Sequence, residues 1–425
     1  MSSPVNIGYP ELSELLAAWK EPAERGVSAA LDWLPALRRM PDALPPMLTP
    51  EAIADHAVWC GLEPEVAGEL ASLADRCWRD RYLRCWLWYC LYQLNRNDST
   101  QNFQSVPELT QALRQDAGRF YLLVALTIVP AAVVNYRNDG IADDLIRHTL
   151  REIRCFCDNY RTSHDGLSGL LLPQLNWLRF YRAAKIYRLG RLEFKLGSAR
   201  DFGLLLERRA DGVKVALAAA QRFDRSGQIE FPDAPDEHPL ITTLTETADQ
   251  ITGYPIHPTG HVLPHPQTFP LRDWQILARP GDPVADMHIP SGGGLTPEAC
   301  LASFRLAADF FARRHPETGV KLIGSESWIF NPLWQQRIPD SNLAAFQREL
   351  YLLPTVSSGN DGLFFVFCTT SADYARLPRR TTLQRLMLDT VSGGDKLRSA
   401  GIFFALSDLD RYGSQYYERQ FPISE

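Results

Sequence analysis

The sequence predicts an all-helical N-terminal domain followed by a mixed α/β domain. Three observations support this fold class. Apolar residues recur with helical spacing through roughly the first 165 residues, short runs bounded by turn residues begin near residue 187, and strand-like and helix-like segments alternate after about residue 283. We therefore expect domains at 1–165 and 166–425, a division that suits a chain of 425 residues.

The helical region contains clear start signals and core segments. In "TPEAIADHAVWCGL", Thr49 is a typical N-cap and Pro50 suits the first helical position. "YLRCWLWYCLYQL" is apolar on nearly all sides, which predicts a central helix. The uncharged run from Phe120 to Val134 is shorter than the roughly 18–20 residues of a membrane span, and Pro130 interrupts it. We interpret it as a core helix.

A strand-rich region follows, beginning with "YRLGRLEFKL" and "LLLERR", which predict an antiparallel meander. The next passage, "GYPIHPTGHVLPHPQTFPL", places His257, His261 and His265 four residues apart. This spacing raises the possibility of a metal site, but the many prolines prevent a helix from presenting the histidines on one face. A long ordered connection is the favoured interpretation.

The last third of the chain alternates between helical and extended patterns, as expected for a β-α-β arrangement. The predicted strands are "VADMHI", "VKLIGSESWIF", "GLFFVFC" and "GIFFAL", and the predicted helices are "TPEACLASFRLAADFFARRH", "SNLAAFQRELYLL" and "TTLQRLMLDTV". "GLFFVFC" is apolar throughout, which favours a strand buried on both faces.

Composition narrows the function classes. A net charge of −6 argues against a general nucleic-acid binder, whose surface is usually basic. The eight cysteines form no CxxC pair and are expected to be buried thiols of a reducing compartment. The start of the chain lacks the pattern of a signal peptide, so we expect a cytoplasmic protein without a membrane partner. The P-loop, HExxH and GxSxG motifs are all absent.

One stretch, "MHIPSGGGLTPEACLASF", has the order strand, glycine loop, helix. Backbone amides at a helix N-terminus bind phosphates, so this loop could hold a pyrophosphate. The alternative is a simple connection capped by Thr296. Pro297 removes one amide donor and Glu298 adds a negative charge, and on local chemistry they favour the connection. The loop residues are Ser291, Gly292, Gly293 and Gly294.

Three longer segments carry a family resemblance: "MHIPSGGGLTPEACLASFRLAADFFARRHPE", "SWIFNPLWQQRIPDSNLAAFQREL" and "LPRRTTLQRLMLDTVSGG". Together they resemble the C-terminal domain of an acyltransferase family that joins a helical N-terminal domain to a GNAT-like C-terminal domain. The resemblance is sharpest over about residues 283–404. The order of the upstream elements agrees with it across the rest of the chain.

The resemblance implies an acyl-CoA donor, an acceptor amine or hydroxyl on a small molecule or peptide, and no metal. It also implies that the loop Ser291–Gly294 binds the CoA pyrophosphate, although its glycines are consecutive and it contains no basic residue. One alternative is a GNAT-like fold that has lost catalysis and serves as a binding or assembly module. Another is a binder of a different phosphorylated ligand. The oligomeric state is not predicted.

Acyl transfer to an amine requires a group that removes a proton from the acceptor. Asp286 and His288 are two residues apart on a predicted strand and so share one face. His288 is our first candidate for the base, with Asp286 orienting it. The alternative, weighed about equally, is that both point to water or that His288 satisfies a main-chain carbonyl.

Two further residues are candidates. Glu326, expected to share a strand face with Trp328, is the alternative base, and Gly324 on that strand is expected to mark a bulge. A solvated or paired surface role is favoured for Glu326. Tyr351 is predicted to end the following helix and could protonate the leaving thiolate, but a core aromatic role is favoured.

Overall fold

The computed structural model describes residues 9–22, 27–99, 101–103, 106, 109–200, 202–368 and 373–423. The chain forms two compact units. The first comprises Met1–Arg188 and Pro290–Gly292, and the second comprises Leu189–Ile289 and Gly293–Glu425. The fold class, a helical region followed by a mixed sheet with flanking helices, is confirmed. The domain boundary at residue 165 stays a prediction.

The first unit is helical, and its described residues before Ile186 contain no strand. Its helices are α1 (Leu12–Ala18), α2 (Val27–Leu37), α3 (Pro50–Cys60), α4 (Pro64–Arg79), α5 (Arg81–Asn95), α6 (Thr110–Leu113), α7 (Ala117–Leu126), α8 (Val129–Asn138), α9 (Asp143–Leu150), α10 (Glu152–Ser163) and α11 (Gln174–Arg182).

Local signals and apolar composition explain this unit. The Thr49 side chain accepts a hydrogen bond from the Ala52 amide at 3.3 Å, so α3 begins as predicted. On α5, Trp86 and Tyr89 are fully buried and stack with ring centroids 5.4 Å apart. The segment Gln111–Asn138 is long and apolar enough to cross a membrane, but 78% of its most apolar window is buried inside the molecule. The core location was predicted correctly, but the run from Phe120 to Val134 is divided between the two buried helices α7 and α8 rather than forming one helix.

The second unit holds most of the strands. They are β1 (Ile186–Leu189), where the chain passes from the first unit to the second, β2 (Leu192–Ser198), β3 (Leu204–Arg208), β4 (Lys214–Leu217), β5 (Arg222–Phe223), β6 (Leu240–Ile241), β7 (Leu244–Glu246), β8 (Gln250–Gly253), β9 (Pro255–His257), β10 (His261–Val262), β11 (Gln267–Pro270), β12 (Trp274–Ala278), β13 (Pro283–His288), β14 (Leu322–Ser327), β15 (Tyr351–Pro354) and β16 (Ala400–Ala405).

The main sheet has the strand order β1-β2-β13-β14-β16-β15. In this sheet β13 and β14 are parallel. The pairs β2–β13, β14–β16 and β15–β16 are antiparallel. A second sheet has the order β10-β9-β4-β3-β12. Leu206, Val215 and Leu217 belong to a buried apolar cluster on this second sheet.

The helices of this unit are α12 (Pro297–Arg314), α13 (Leu333–Arg337), α14 (Asn342–Arg348), α15 (Leu363–Phe367), α16 (Thr382–Ser392) and α17 (Tyr416–Arg419). Helix α12 covers one face of the main sheet, because the Phe304 ring contacts those of Phe194 and Phe404 at centroid distances of 6.5 and 4.9 Å. Side chains alternate along a strand, so Asp286 and His288 project from the opposite face. We call this opposite face the site face.

Three predictions about strands were wrong. "GLFFVFC" does not form a strand, because Leu363–Phe367 is the short helix α15 and Phe365 is 64% exposed. Trp328 does not share a strand face with Glu326, because β14 ends at Ser327 and Trp328 begins a 3₁₀ turn. Gly324 marks no bulge, because the register of β14 is continuous on both sides.

Candidate active site

Strand register gathers charged side chains on the site face. Asp286 on β13 lies opposite Lys195 on β2 and opposite Gly324 on β14. His288 lies opposite Glu193. The structure brings the two predicted residues together, since His288 Nε2 lies 3.4 Å from Asp286 Oδ2.

Lys195 completes this cluster, and the sequence interpretation missed it. Its Nζ donates a hydrogen bond to Asp286 Oδ2. Burial acts to raise the pKa of Asp286, but the hydrogen bonds and charges of His288 and Lys195 outweigh burial and lower it. Asp286 is therefore an ionised carboxylate shared between a lysine and a histidine. Of the three side chains His288 is the most exposed, at 28% against 17% for Lys195 and 11% for Asp286.

Glu326 lies on the neighbouring strand and forms an ion pair with Arg200 at 3.4 Å. Arg200 and Asp286 line a small cavity over the site face, but Glu326 does not. The cavity holds about 30 Å³, room for one water molecule. Gly324 also lines it, and a Cβ at this position would lie 3.4 Å from Val284 Cγ2. The glycine therefore permits close approach rather than a bulge.

The parallel ladder between β13 and β14 ends at the pair Asp286–Gly324. Both strands continue beyond it, but β13 then pairs only with β2 and β14 only with β16. The Met287 carbonyl accepts a hydrogen bond from Ser325 Oγ at 2.8 Å, where a longer ladder would offer an amide. The facing edges of the two strands therefore have main-chain groups that the ladder does not use.

The glycine loop follows the carboxyl end of β13, a central strand. Gly292 and Gly293 have φ of +80° and +67°, a conformation that glycine adopts at little cost. Arg191 donates hydrogen bonds to the carbonyls of Gly293 and Gly294, both at 3.2 Å. Thr296 caps α12 as predicted, accepting from the Ala299 amide at 3.4 Å. The loop lines neither the cavity beside Asp286 nor the groove near Arg337.

Arg191 supplies the basic group that the loop itself lacks. It lies in the turn between β1 and β2, about a hundred residues before the loop, so no local pattern indicated it. No described residue accepts a hydrogen bond from the main-chain amides of Ser291–Gly294. The carbonyls of Gly293 and Gly294 thus bind Arg191, and the loop amides are available to bind a ligand.

Tyr351 does not end a helix, because α14 ends at Arg348 and Tyr351 begins β15. Its hydroxyl accepts from the Ala216 amide at 3.1 Å and donates to the Ile256 carbonyl. Burial raises its pKa, and three strand spacings, about 14 Å, separate it from Asp286. Its geometry fits the favoured core role and offers no path to a leaving group beside Asp286.

His257 and His261 face each other across the hairpin of β9 and β10, with ring centroids 5.0 Å apart. Their Nδ1 atoms lie 2.7 and 3.2 Å from Thr259 Oγ1. Within the described ranges, no group of three or more histidine, cysteine, aspartate or glutamate side chains could hold a metal. The contacts of the two histidines therefore indicate a role in stabilising the hairpin, and they do not favour the metal-site hypothesis.

Two family models match the chain. The GNAT-like C-terminal domain matches residues 186–403, just over half of the chain, and the N-acyltransferase N-terminal domain matches residues 52–178. The chain belongs to the GNAT-like C-terminal domain family. The resemblance seen in the sequence is thereby confirmed, and the helical domain in front of the GNAT-like domain is part of the same pattern. No curated protein matches the chain significantly.

Solved structures share the fold across nearly the whole chain. An acyltransferase in complex with CoA and 10C-teicoplanin is 19% identical, with a TM-score of 0.61, and the match covers 93% of this chain and 99% of that one. An acyltransferase in complex with decanoyl-CoA and teicoplanin is 20% identical, with a TM-score of 0.60 and the same coverage. At this identity the likeness shows the fold.

Proposed function

We propose that this protein is an acyltransferase that moves an acyl group from a CoA thioester to an amine or hydroxyl of a small molecule or peptide. The observation that carries the proposal is the Asp286–His288 pair on the site face, where the β13–β14 ladder ends. The family membership and the acyl-CoA complexes of proteins with the same fold support it.

The main-chain groups along the facing edges of β13 and β14 suit an extended donor. The pantetheine arm of CoA contains amides, which can pair with an unused strand edge as an added strand does. The amides of Ser291–Gly294 and the start of α12 suit its pyrophosphate. Both features lie at the carboxyl end of β13, next to His288.

His288 accepts the proton of the acceptor amine or hydroxyl as that group attacks the thioester carbonyl. The bond from the acceptor nitrogen or oxygen to the acyl carbon forms, and the carbon–sulfur bond breaks. The proton then passes from the imidazolium to the CoA thiolate, so no second acid is required. Asp286 orients the imidazole, and Lys195 holds the carboxylate in place.

Apolar side chains near the same edge of the sheet favour a donor with an alkyl chain. Val356, two residues beyond β15, is 63% exposed. Trp328, directly after β14, stacks on the 64% exposed Phe365 with centroids 6.4 Å apart. Register places these segments at one end of the sheet, since Ser327 and Pro354 both pair with Ala400.

We also propose a cytoplasmic location. All eight cysteines are free thiols, and seven of them are buried. Burial raises the pKa of Cys85 to about 11 and that of Cys77 to about 12, so these thiols resist oxidation. Free thiols in this number suit a reducing compartment.

The decisive experiment measures binding and turnover separately. Calorimetry with CoA, octanoyl-CoA and decanoyl-CoA should detect saturable binding, and release of the CoA thiol should follow when an acceptor is added, teicoplanin being the first to test. Failure to bind any of the three ligands would refute the proposal. Binding without thiol release from a panel of amines and alcohols would instead favour the non-catalytic binding module.

The loop has its own test with a matched control. Replacing Gly293 by valine forces a side chain into a left-handed conformation and towards Arg191 Nε, which a Cβ would approach to 3.4 Å. We expect a loss of CoA affinity. Gly281→Val imposes a similar conformation, φ +90°, where a Cβ meets nothing within 4 Å. Equal CoA affinity in the two variants would exclude a role for the loop.

A further inference from the structure

The last turn of α11 carries two arginines, Arg179 and Arg182, three residues apart and so on the same side of the helix. Both side chains are half-buried. They approach the segment that follows α5. Arg182 Nη1 donates to Asn97 Oδ1 at 2.6 Å, and Arg179 Nη2 lies 3.4 Å from Ser99 Oγ.

These contacts use only a few of the hydrogen-bond donors of the two guanidinium groups. Each group has five N–H donors and a full positive charge. The Nε atoms of both arginines are buried and, within the described residues, have no acceptor. Arg179 also lies over the Phe103 ring at 5.2 Å. No described carboxylate pairs with either arginine.

Burial lowers the pKa of both arginines, and the only charge that opposes this effect is that of Tyr89 on Arg179. Asp98, which lies between Asn97 and Ser99 in the sequence, is already engaged. Asp98 accepts two hydrogen bonds from Arg96, both at 2.8 Å, and these bonds lower its pKa to about 2. The two guanidinium groups are thus partly desolvated, and no carboxylate among the described residues pairs with them, which is unfavourable.

The same unit supplies a counter-charge where a buried arginine has a structural role. Arg188, six residues after Arg182, is buried and donates to the buried carboxylate of Glu152. Capping does not explain the two arginines of α11 either. The main-chain carbonyl of Arg182 already accepts a hydrogen bond from Asn135 Nδ2 at 2.7 Å. The favourable effect of basic residues at a helix C-terminus does not require unpaired, buried Nε atoms.

We propose that Arg179 and Arg182 bind the oxyanion of a small molecule, a phosphate or a carboxylate, with Asn97 and Ser99 supporting the guanidinium groups. A planar guanidinium recognises such groups by paired hydrogen bonds, and two of them on one side of a helix provide a matching charge. The site lies in the helical unit and does not depend on acyl transfer.

The test uses the full-length protein and simple anions at constant ionic strength. Calorimetric titrations with inorganic pyrophosphate and with citrate probe the phosphate and carboxylate classes. Wild type should bind at least one of them saturably. Arg179→Gln and Arg182→Gln should weaken that binding by about tenfold or more, because each loses charge-assisted hydrogen bonds. Arg79→Gln is the control, since its side chain is 79% exposed and pairs with Asp75.

Unfolding in the absence of anion separates a binding role from a structural one. The Arg182→Gln midpoint should match or exceed that of wild type, because the substitution removes a half-buried charge that no described carboxylate pairs with. A lower midpoint, or a variant that does not fold, would assign the arginines to structure and overturn the proposal. So would the absence of binding by wild type, or binding that both variants retain.

The result with inorganic anions stands independently of whether the protein transfers acyl groups.

Discussion

The second unit contains two lysine–aspartate pairs whose charges are partly or wholly removed from solvent, and the two pairs differ in their surroundings. Lys214 and Asp408 are each 1% exposed and 2.7 Å apart, and Lys214 also contacts Glu207 and Ser407, both at 3.3 Å. Arg411 and Tyr417 donate to Asp408 as well. The charges of this pair are enclosed by partners from the protein itself.

The pair of Lys195 and Asp286 is more open. Its side chains are 17% and 11% exposed, and its third member, His288, reaches solvent at 28% exposure. A closed network stabilises one arrangement of the chain, whereas an open one with an exposed histidine suits the proton transfer proposed above. The comparison teaches that exposure, more than the identity of the ionic pair, separates the enclosed pair from the pair proposed to act in acyl transfer.

The largest expected effect is on activity. His288→Ala should lower the acyl-transfer rate by about 10²–10⁴, the usual contribution of a positioned base, and leave donor affinity and the melting temperature nearly unchanged. Steady-state kinetics and calorimetry with the same acyl-CoA measure this split. His315→Ala is a matched control, because His315 is 30% exposed and lies 3.6 Å from Glu317. Normal turnover by the His288 variant would remove it from the mechanism.

A substitution in the enclosed network of Lys214 and Asp408 should affect stability rather than activity. Lys214→Met removes the buried cation that Asp408 and Glu207 share and leaves the buried Asp408 carboxylate with only the partly exposed Arg411, which typically lowers the free energy of unfolding by about 3–5 kcal/mol. Urea denaturation measures the change. Lys321→Met, at an exposed position, should change it by less than about 0.5 kcal/mol. Equal effects of the two substitutions would show that the closed network does not stabilise the fold.

The ionised carboxylate of Asp286 should make the stability of the protein depend on pH in the acid range. Because its pKa is lowered in the folded state, its contribution to stability is present above its ordinary pKa and is lost as the pH falls through the lowered value. Wild type should therefore lose its stability advantage over Asp286→Asn between about pH 5 and pH 2. Urea denaturation across this range tests the sign, and an advantage that grows towards low pH would contradict it.

The smallest effect is expected at Glu326. Its partner Arg200 is 57% exposed, so the ion pair should contribute less than about 1 kcal/mol. Glu326→Gln should change the acyl-transfer rate by less than about tenfold, below the contribution of a positioned base. A larger loss of rate, with His288→Ala still active, would make Glu326 the base.

Much of the fold followed from local patterns. The N-caps Thr49 and Thr296 were predicted because a cap depends on residues within one helical turn. "GLFFVFC" was assigned to a strand wrongly, because a short apolar run is compatible with both a strand and a helix. Tyr351 was placed one element too early, because the helical spacing of α14 continues into the apolar start of β15.

The sequence by itself determined the two-part fold class, the family and the adjacency of Asp286 and His288, because each depends on neighbouring residues or on a contiguous motif. Only the tertiary structure decided that Lys195 joins them across the sheet and that Arg191 holds the glycine loop. Only it decided that, within the described residues, the buried Nε atoms of Arg179 and Arg182 have no hydrogen-bond acceptor. These partners come from distant segments, and their meeting depends on strand register and helix packing, which no local pattern encodes.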